Sequence, residues 1–217
     1  MKPVASVIAA LFAFQVFLGA ATVHLSNSPI SVVWHWGTAM AFVASLAAMC
    51  VFAFASGTGA GSMAHRRATF TTYALAATAG IAFITMCVGA YVSSSGAGLA
   101  CTDIPGCAGH VVVYTAGQSV QMLHRFIAAA CLLAGALSFA IVWAFRAPPW
   151  VRVTASAGLA LLFVQVLLGL LNVALRLPID LREAHAANAA LVFLSFVTAT
   201  ALQAADRTPA ATSAESA

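Results

Sequence analysis

Charge is what this sequence has least of. Of its 217 residues only 6% are Asp, Glu, Lys or Arg, and five are acidic. A soluble domain carries about a quarter charged residues, so a water-soluble fold is excluded. The surplus of base, a net +4 over the whole chain, is too diffuse to grip a phosphate backbone, and no nucleic-acid partner is expected. Strict apolar–polar alternation is also missing from the long apolar runs, which are rich in Ala and Leu, so membrane-spanning strands are excluded as well. What the chain does have is hydrophobic residue, 63% of it. The expected fold class is an all-α integral membrane protein.

Six apolar runs reach the roughly 20 residues that a helical crossing needs: 4–25, 30–55, 69–91, 119–144, 150–175 and 185–204. No Asp or Glu falls inside them, since Asp103, Asp180, Glu183, Asp206 and Glu215 lie in the intervening segments or the tail. Lys2, Arg66, Arg67, Arg146, Arg152 and Arg207 gather on one side, which the positive-inside rule makes cytoplasmic. Arg176 and Arg182 on the other side are offset by Asp180 and Glu183. Both termini are therefore expected inside and the 92–118 loop outside. The first run also has the makings of a signal peptide, with Lys2, an apolar stretch and small residues near 20–22.

An internal repeat speaks against that second reading. FQVFLGAATVHLSNSPISVVWHWGTAMAFVAS, residues 14–45, aligns with VQVLLGLLNVALRLPIDLREAHAANAALVFLS, residues 164–195, at a constant offset of 150 with no gap. Gln15, Gly19 and His35 meet Gln165, Gly169 and His185. Matched apolar residues are common between membrane helices, but matched Gln, Gly and His are not. A two-helix unit used twice is the simple explanation, with helices 3 and 4 inserted between the copies.

Four of the six histidines, His24, His35, His124 and His185, fall near the outer ends of helices 1, 2, 4 and 6. His65, beside Arg66, and His110, in the outer loop, read as ordinary solvated residues. His24, whose repeat partner is Ala174, reads as an interfacial histidine, and His35 is open between that and a ligand. For His124 and His185 the penalty on polar groups at depth favours ligation. Two imidazoles from facing helices of a bundle are suited to hold a heme iron from both sides. The small residues Ala128, Ala129, Gly135, Gly169, Ala186 and Ala187 either leave room for a flat macrocycle or serve ordinary close helix packing. Arg125, next to His124, either pairs with a heme propionate or snorkels to the headgroups.

In the outer loop Cys101 and Cys107 stand six apart on the oxidising side, where a disulfide is the default and a dithiol pair that cycles with a redox partner is the alternative. Gly96 and Gly98 permit close approach of the backbone to a ligand or neighbour, or belong to a plain flexible loop. Cys50, Cys87 and Cys131 lie within helices and read as small apolar residues.

Taken together, GAYVSSSGAGLACTDIPGC (89–107), QMLHRF (121–126) and the paired QVLLG…V…H segments resemble the heme A synthase family over most of residues 14–195. The resemblance implies two similar four-helix halves, each with two histidines as axial heme ligands, in a protein that oxidises a ring methyl of heme O to the formyl of heme A for the terminal oxidase. It implies a multi-pass protein of a bacterial inner membrane, with the heme site near the outer face. Mapped onto this chain, residues 1–57 are a partial repeat, 58–205 a four-helix heme-binding half, and 206–217 a disordered cytoplasmic tail. His124 and His185 become the axial pair for heme b, Cys101 and Cys107 the loop pair, and His35 a lone ligand. A second copy of the chain or a separate subunit would complete its half. Other expected partners are heme itself and terminal oxidase assembly factors.

One departure divides the functional readings. The family's substrate half carries a Glu three residues before its first His, and here that position is Gln121. Glu183, two residues before His185, is a substitute acid or a partner of Arg182. The first reading is a compact heme A synthase with Gln121 and Glu183 as its catalytic candidates. The second is a non-catalytic b-type heme protein that carries electrons or delivers heme during oxidase assembly. A cofactor-free membrane scaffold is the third, and the histidine set argues against it.

Overall fold

The computed structural model describes residues 2–54, 65–107, 109 and 115–206. Residues 207–217, His110 and the boundary expected at 57/58 lie outside the described residues. Among the described residues six α-helices follow one another: α1 (Lys2–His24), α2 (Pro29–Phe54), α3 (His65–Ser94), α4 (Ala116–Ala144), α5 (Pro149–Ala174) and α6 (Ile179–Asp206). A short 3-10 turn, Ala97–Leu99, sits between α3 and α4. All six helices are long and apolar enough to cross a membrane, so the chain is a multi-pass α-helical membrane protein.

Proline and capping residues place the helix starts. Pro29 and Pro149 occupy first helical positions, where the missing N–H costs nothing and the fixed φ suits the helix. At α4, Thr115 accepts from the Gln118 backbone N–H and the Gln118 side chain accepts from the Thr115 N–H, a reciprocal cap. The helices outrun the apolar runs most at α3 and α6. Asp180, Glu183 and Asp206, expected in loops, lie inside the ends of α6. Hydropathy marks only the stretch suited to lipid, whereas hydrogen bonding carries a helix on into the interface.

Helices α3, α4, α5 and α6 each pack on the next, and α3 also packs on α6, which closes a ring of four. Helix α2 leans on α3 and α6, and α1 packs along α2. Phe196, Leu75, Val142, Val151 and Ala155 fill the centre of the ring with next to no exposure. Thr78 and Ser138 share a buried hydrogen bond of 2.9 Å between α3 and α4. Outward lie Leu133, Phe163, Leu167 and Trp150, each more than half exposed, as side chains facing lipid are.

The repeat is visible in the backbone. The α1–α2 turn takes left-handed φ at Ser26 and Asn27, and the α5–α6 turn does so at Arg176 and Leu177, 150 residues on. Asn27 N–H donates to the Thr22 carbonyl at 2.9 Å, and Leu177 N–H to the Asn172 carbonyl at 2.7 Å. The hydroxyl of Thr22 reaches the Ser31 carbonyl, and the amide of Asn172 reaches the Leu181 carbonyl, so one strap is built twice from different side chains. Left-handed φ is costly for a branched residue. Leu177 is held in it with its side chain packed against Gly98, where a β-carbon would meet Leu177 Cδ1 at 2.8 Å.

Gly135 and Gly158 let α4 and α5 close around the core. A methyl on Gly135 would run into Leu162, and one on Gly158 would lie 3.0–3.3 Å from the Phe196 ring. Since Phe196 has nowhere to move, Gly158→Val is expected to lower stability by about 1–3 kcal/mol through overpacking. Gly80→Ala, where nothing lies within 4 Å, is expected to stay within about 0.5 kcal/mol of wild type. Thermal unfolding in detergent compares the two.

Candidate functional site

Three histidines are placed in the same way, each over a glycine of the neighbouring helix. A β-carbon on Gly169 of α5 would lie 3.3 Å from Cε1 of His185 on α6. One on Gly19 of α1 would lie 3.2 Å from Cε1 of His35 on α2, and one on Gly89 of α3 would lie 3.0 Å from Cε1 of His124 on α4. Any side chain at these glycines would push the ring aside. Each histidine sits roughly two turns, about 9–12 Å, from the start of its helix. The third seat was not legible as a repeat. Residue 85, one turn before Gly89, is Thr where the other two seats have Gln, and the glycine and its histidine are 35 residues apart in sequence across a long loop.

The Gln of the repeat faces its histidine. Gln165 Nε2 donates to the His185 carbonyl at 3.0 Å and stands 3.2 Å from both ring nitrogens. Its Oε1 accepts from Asn188 Nδ2 at 2.7 Å, and Asn188 Nδ2 also donates to the Leu161 carbonyl. A donor on one side and a carbonyl on the other fix which end of the Gln165 amide is which. Gln15 lies 3.0 Å from Nδ1 of His35. The residue at the Asn188 position of that copy is Thr38, and Gln15 Oε1 is buried with no partner. The two seats share ring and glycine but only one has its amide anchored.

His124 and His185 stand on α4 and α6, two helices of the same four-helix ring. Nδ1 of His124 is buried and has no hydrogen-bond partner. A buried imidazole nitrogen without a partner is free to meet a ligand, and neutral imidazole is a common metal ligand. Among the described residues no cluster of three or more His, Cys, Asp or Glu gathers as a metal centre.

Of the other residues singled out, His24 and His65 are exposed at helix ends, and Glu183 is exposed near the start of α6. Gly135 lies deep in the core against Leu162 and Phe196, so its role is helix packing. Ala129 and Ala187 face outward, whereas Ala128 and Ala186 are half-buried. Cys101 and Cys107 are bonded to each other, and both are almost completely buried, at 1% and 2% exposure. Burial of both sulfurs keeps external thiols away and suits a structural bond.

Gln121 and Arg125 both turn toward this disulfide ring. Gln121, 4% exposed, accepts from the Cys101 N–H and donates to the Gly98 carbonyl at 2.7 Å. A carboxylate there has no proton to give Gly98, so the geometry uses the amide as an amide. The guanidinium of Arg125 donates to the carbonyls of Cys101, Asp103 and Gly106 at 2.7 Å and to Pro105 at 3.2 Å. Gly96 takes φ +73° ahead of the 3-10 turn, which only glycine adopts freely.

A family described as cytochrome oxidase assembly protein matches residues 1–197. No curated protein matches the chain.

Anchoring of the Gln165 amide depends on Asn188. Asn188→Thr leaves Gln165 Oε1 buried and unpaired, and is expected to cost about 1–3 kcal/mol. Thr38→Asn supplies the missing donor to Gln15 and is expected to be neutral or stabilising. Melting temperatures of the two variants, measured in detergent without added heme, give the comparison.

Proposed function

The chain belongs to the cytochrome oxidase assembly, or heme A synthase, family, and from that membership we propose that it is a heme A synthase-like protein with a bis-His heme b in the α3–α6 ring. The observation that carries the reading is the pair His124 and His185 on α4 and α6 of one ring, each on a glycine seat, with Nδ1 of His124 buried and without a partner. The residues fit a heme: two imidazoles, each about two turns into its helix, from helices on opposite sides of a closed four-helix ring. When bound, heme b supplies a one-electron redox centre. His124 and His185 would hold the iron, Gly89 and Gly169 would fix the ring planes, and Gln165 with Asn188 would orient His185 from behind.

The substrate in this reading is heme O, whose ring methyl becomes the formyl of heme A. Gln121 and Glu183 are the catalytic candidates. Arg125 is the cation beside His124, and it would meet a propionate by giving up part of its bonding to the disulfide ring. His35, with Gln15 and Gly19, offers a further ligand, whose partner in this reading comes from a second copy of the chain or a separate subunit. The site lies toward the outer face, both termini are cytoplasmic, and the product passes to terminal oxidase assembly factors.

A second reading is favoured by one observation. Both ends of Gln121 are engaged in holding the loop, so the position where the family's substrate half carries an acid has a structural task here. On that ground the chain is a b-type heme protein that carries electrons or delivers heme within oxidase assembly.

Purification from cells that make heme O, with the extracted heme identified by mass, separates the readings. Heme A in the extract, lost on Glu183→Ala, supports the enzyme; heme b alone supports the second reading. Either way the low-spin heme spectrum is expected to disappear in His124→Ala and in His185→Ala. Wild-type heme content in both variants would sink the ligand assignment.

A further inference from the structure

Two residues bind the disulfide ring to α4, one on each side of His124. Gln121 lies one turn before the histidine and joins Cys101 N–H and Gly98 C=O. Arg125 follows it directly and collects four carbonyls, those of Cys101, Asp103, Pro105 and Gly106. All four belong to the segment closed by the Cys101–Cys107 bond. Carbonyl oxygens turned toward one point repel each other unless a cation fills the centre, and a guanidinium with its spread of donors fits several of them at once. The disulfide in turn keeps the segment short, so that its carbonyls converge instead of turning to water. The 3-10 turn that leads into the ring is seated against α5–α6, since Gly98 packs on Leu177 of the turn that leads to His185.

We propose that Gln121 and Arg125 are positioning residues for His124, acting through the Cys101–Cys107 ring: amide, guanidinium and disulfide form one latch that fixes the first turns of α4 and thereby the seat of the imidazole on Gly89. The latch itself stands on the hydrogen bonds above, and its effect on a bound heme rests on the reading of His124 as an axial ligand. Lys at position 125 cannot replace the guanidinium. A single ammonium cannot reach both Cys101 O, held by one nitrogen, and the carbonyls of Asp103 and Gly106, held by the other. Glu at position 121 loses the donor to Gly98.

The test uses the full chain in detergent and two readouts. The first is hydrogen exchange without heme. Arg125→Lys, Gln121→Glu and the double variant Cys101→Ser/Cys107→Ser are each expected to speed exchange across 97–107 and 119–125 by about tenfold or more, with the core of α5 and α6 unchanged. Combining Arg125→Lys with the double Ser variant is expected to add little, because one latch is opened only once. Exchange that rises within 101–107 alone, or effects that add independently, would overturn the proposal. A variant that misfolds loses protection in α5 and α6 too, and the remaining single variants then decide.

The second readout is the spectrum of heme-loaded protein. The same variants are expected to convert part of the low-spin heme to high-spin, with low-spin signal regained on adding free imidazole, which stands in for a displaced His124. Heme lost outright with no imidazole rescue would overturn the positioning role. The exchange pattern in a chain that never carries heme would support the latch and count against the heme reading.

Discussion

An imidazole laid against a glycine is the contact on which one end of this bundle depends. The rings of His35, His124 and His185 are large and polar, and each needs a flat place on the neighbouring helix where no side chain stands. Gly19, Gly89 and Gly169 provide it. The spacing follows from this contact. A methyl on any of the three would approach a ring carbon to 3.0–3.3 Å, so helix separation and ring orientation are set together. Gly89 and Gly169 thereby seat His124 and His185 on α4 and α6 of one four-helix ring, although in sequence those helices start at residues 116 and 179.

Polar groups inside an apolar bundle need partners, and this chain meets that demand unevenly. At the second copy of the repeat Asn188 anchors Gln165, which meets His185. At the first copy Thr38 stands in place of Asn188, and Gln15 keeps an unpaired oxygen. The divergence fits a duplicated unit whose second copy works within the four-helix ring α3–α6 while the first is packed beside it through α2. The strap from Thr22 to Ser31, rebuilt as Asn172 to Leu181, shows that the backbone geometry of the unit outlasted the residues that first made it.

The segment from Gly98 to Cys107 is closed covalently at Cys101–Cys107 and tied to α4 by the polar side chains of Gln121 and Arg125. An arginine near lipid is unfavourable unless its donors are met, and here the backbone of the loop meets them. Arg125 thus stays near His124 without needing a carboxylate partner of its own.

Much of this was legible in the amino-acid order alone. The spans follow from hydropathy and the paucity of charge, and the repeat from identities at a constant offset. The candidate ligands His124 and His185 follow from polar residues at one depth, and the Cys pair from its place in a short loop. These are local properties, or comparisons of the chain with itself, and need no three-dimensional neighbour. Helix α6 runs past its apolar stretch at both ends, because hydrogen bonding continues where hydropathy stops. The third glycine seat, the partners of Arg125 and Gln121 and the difference between Asn188 and Thr38 were decided by the tertiary structure. Each depends on which atom of one helix meets which atom of another element 19 or more residues away. Residue type restricts such a meeting, but only packing selects it.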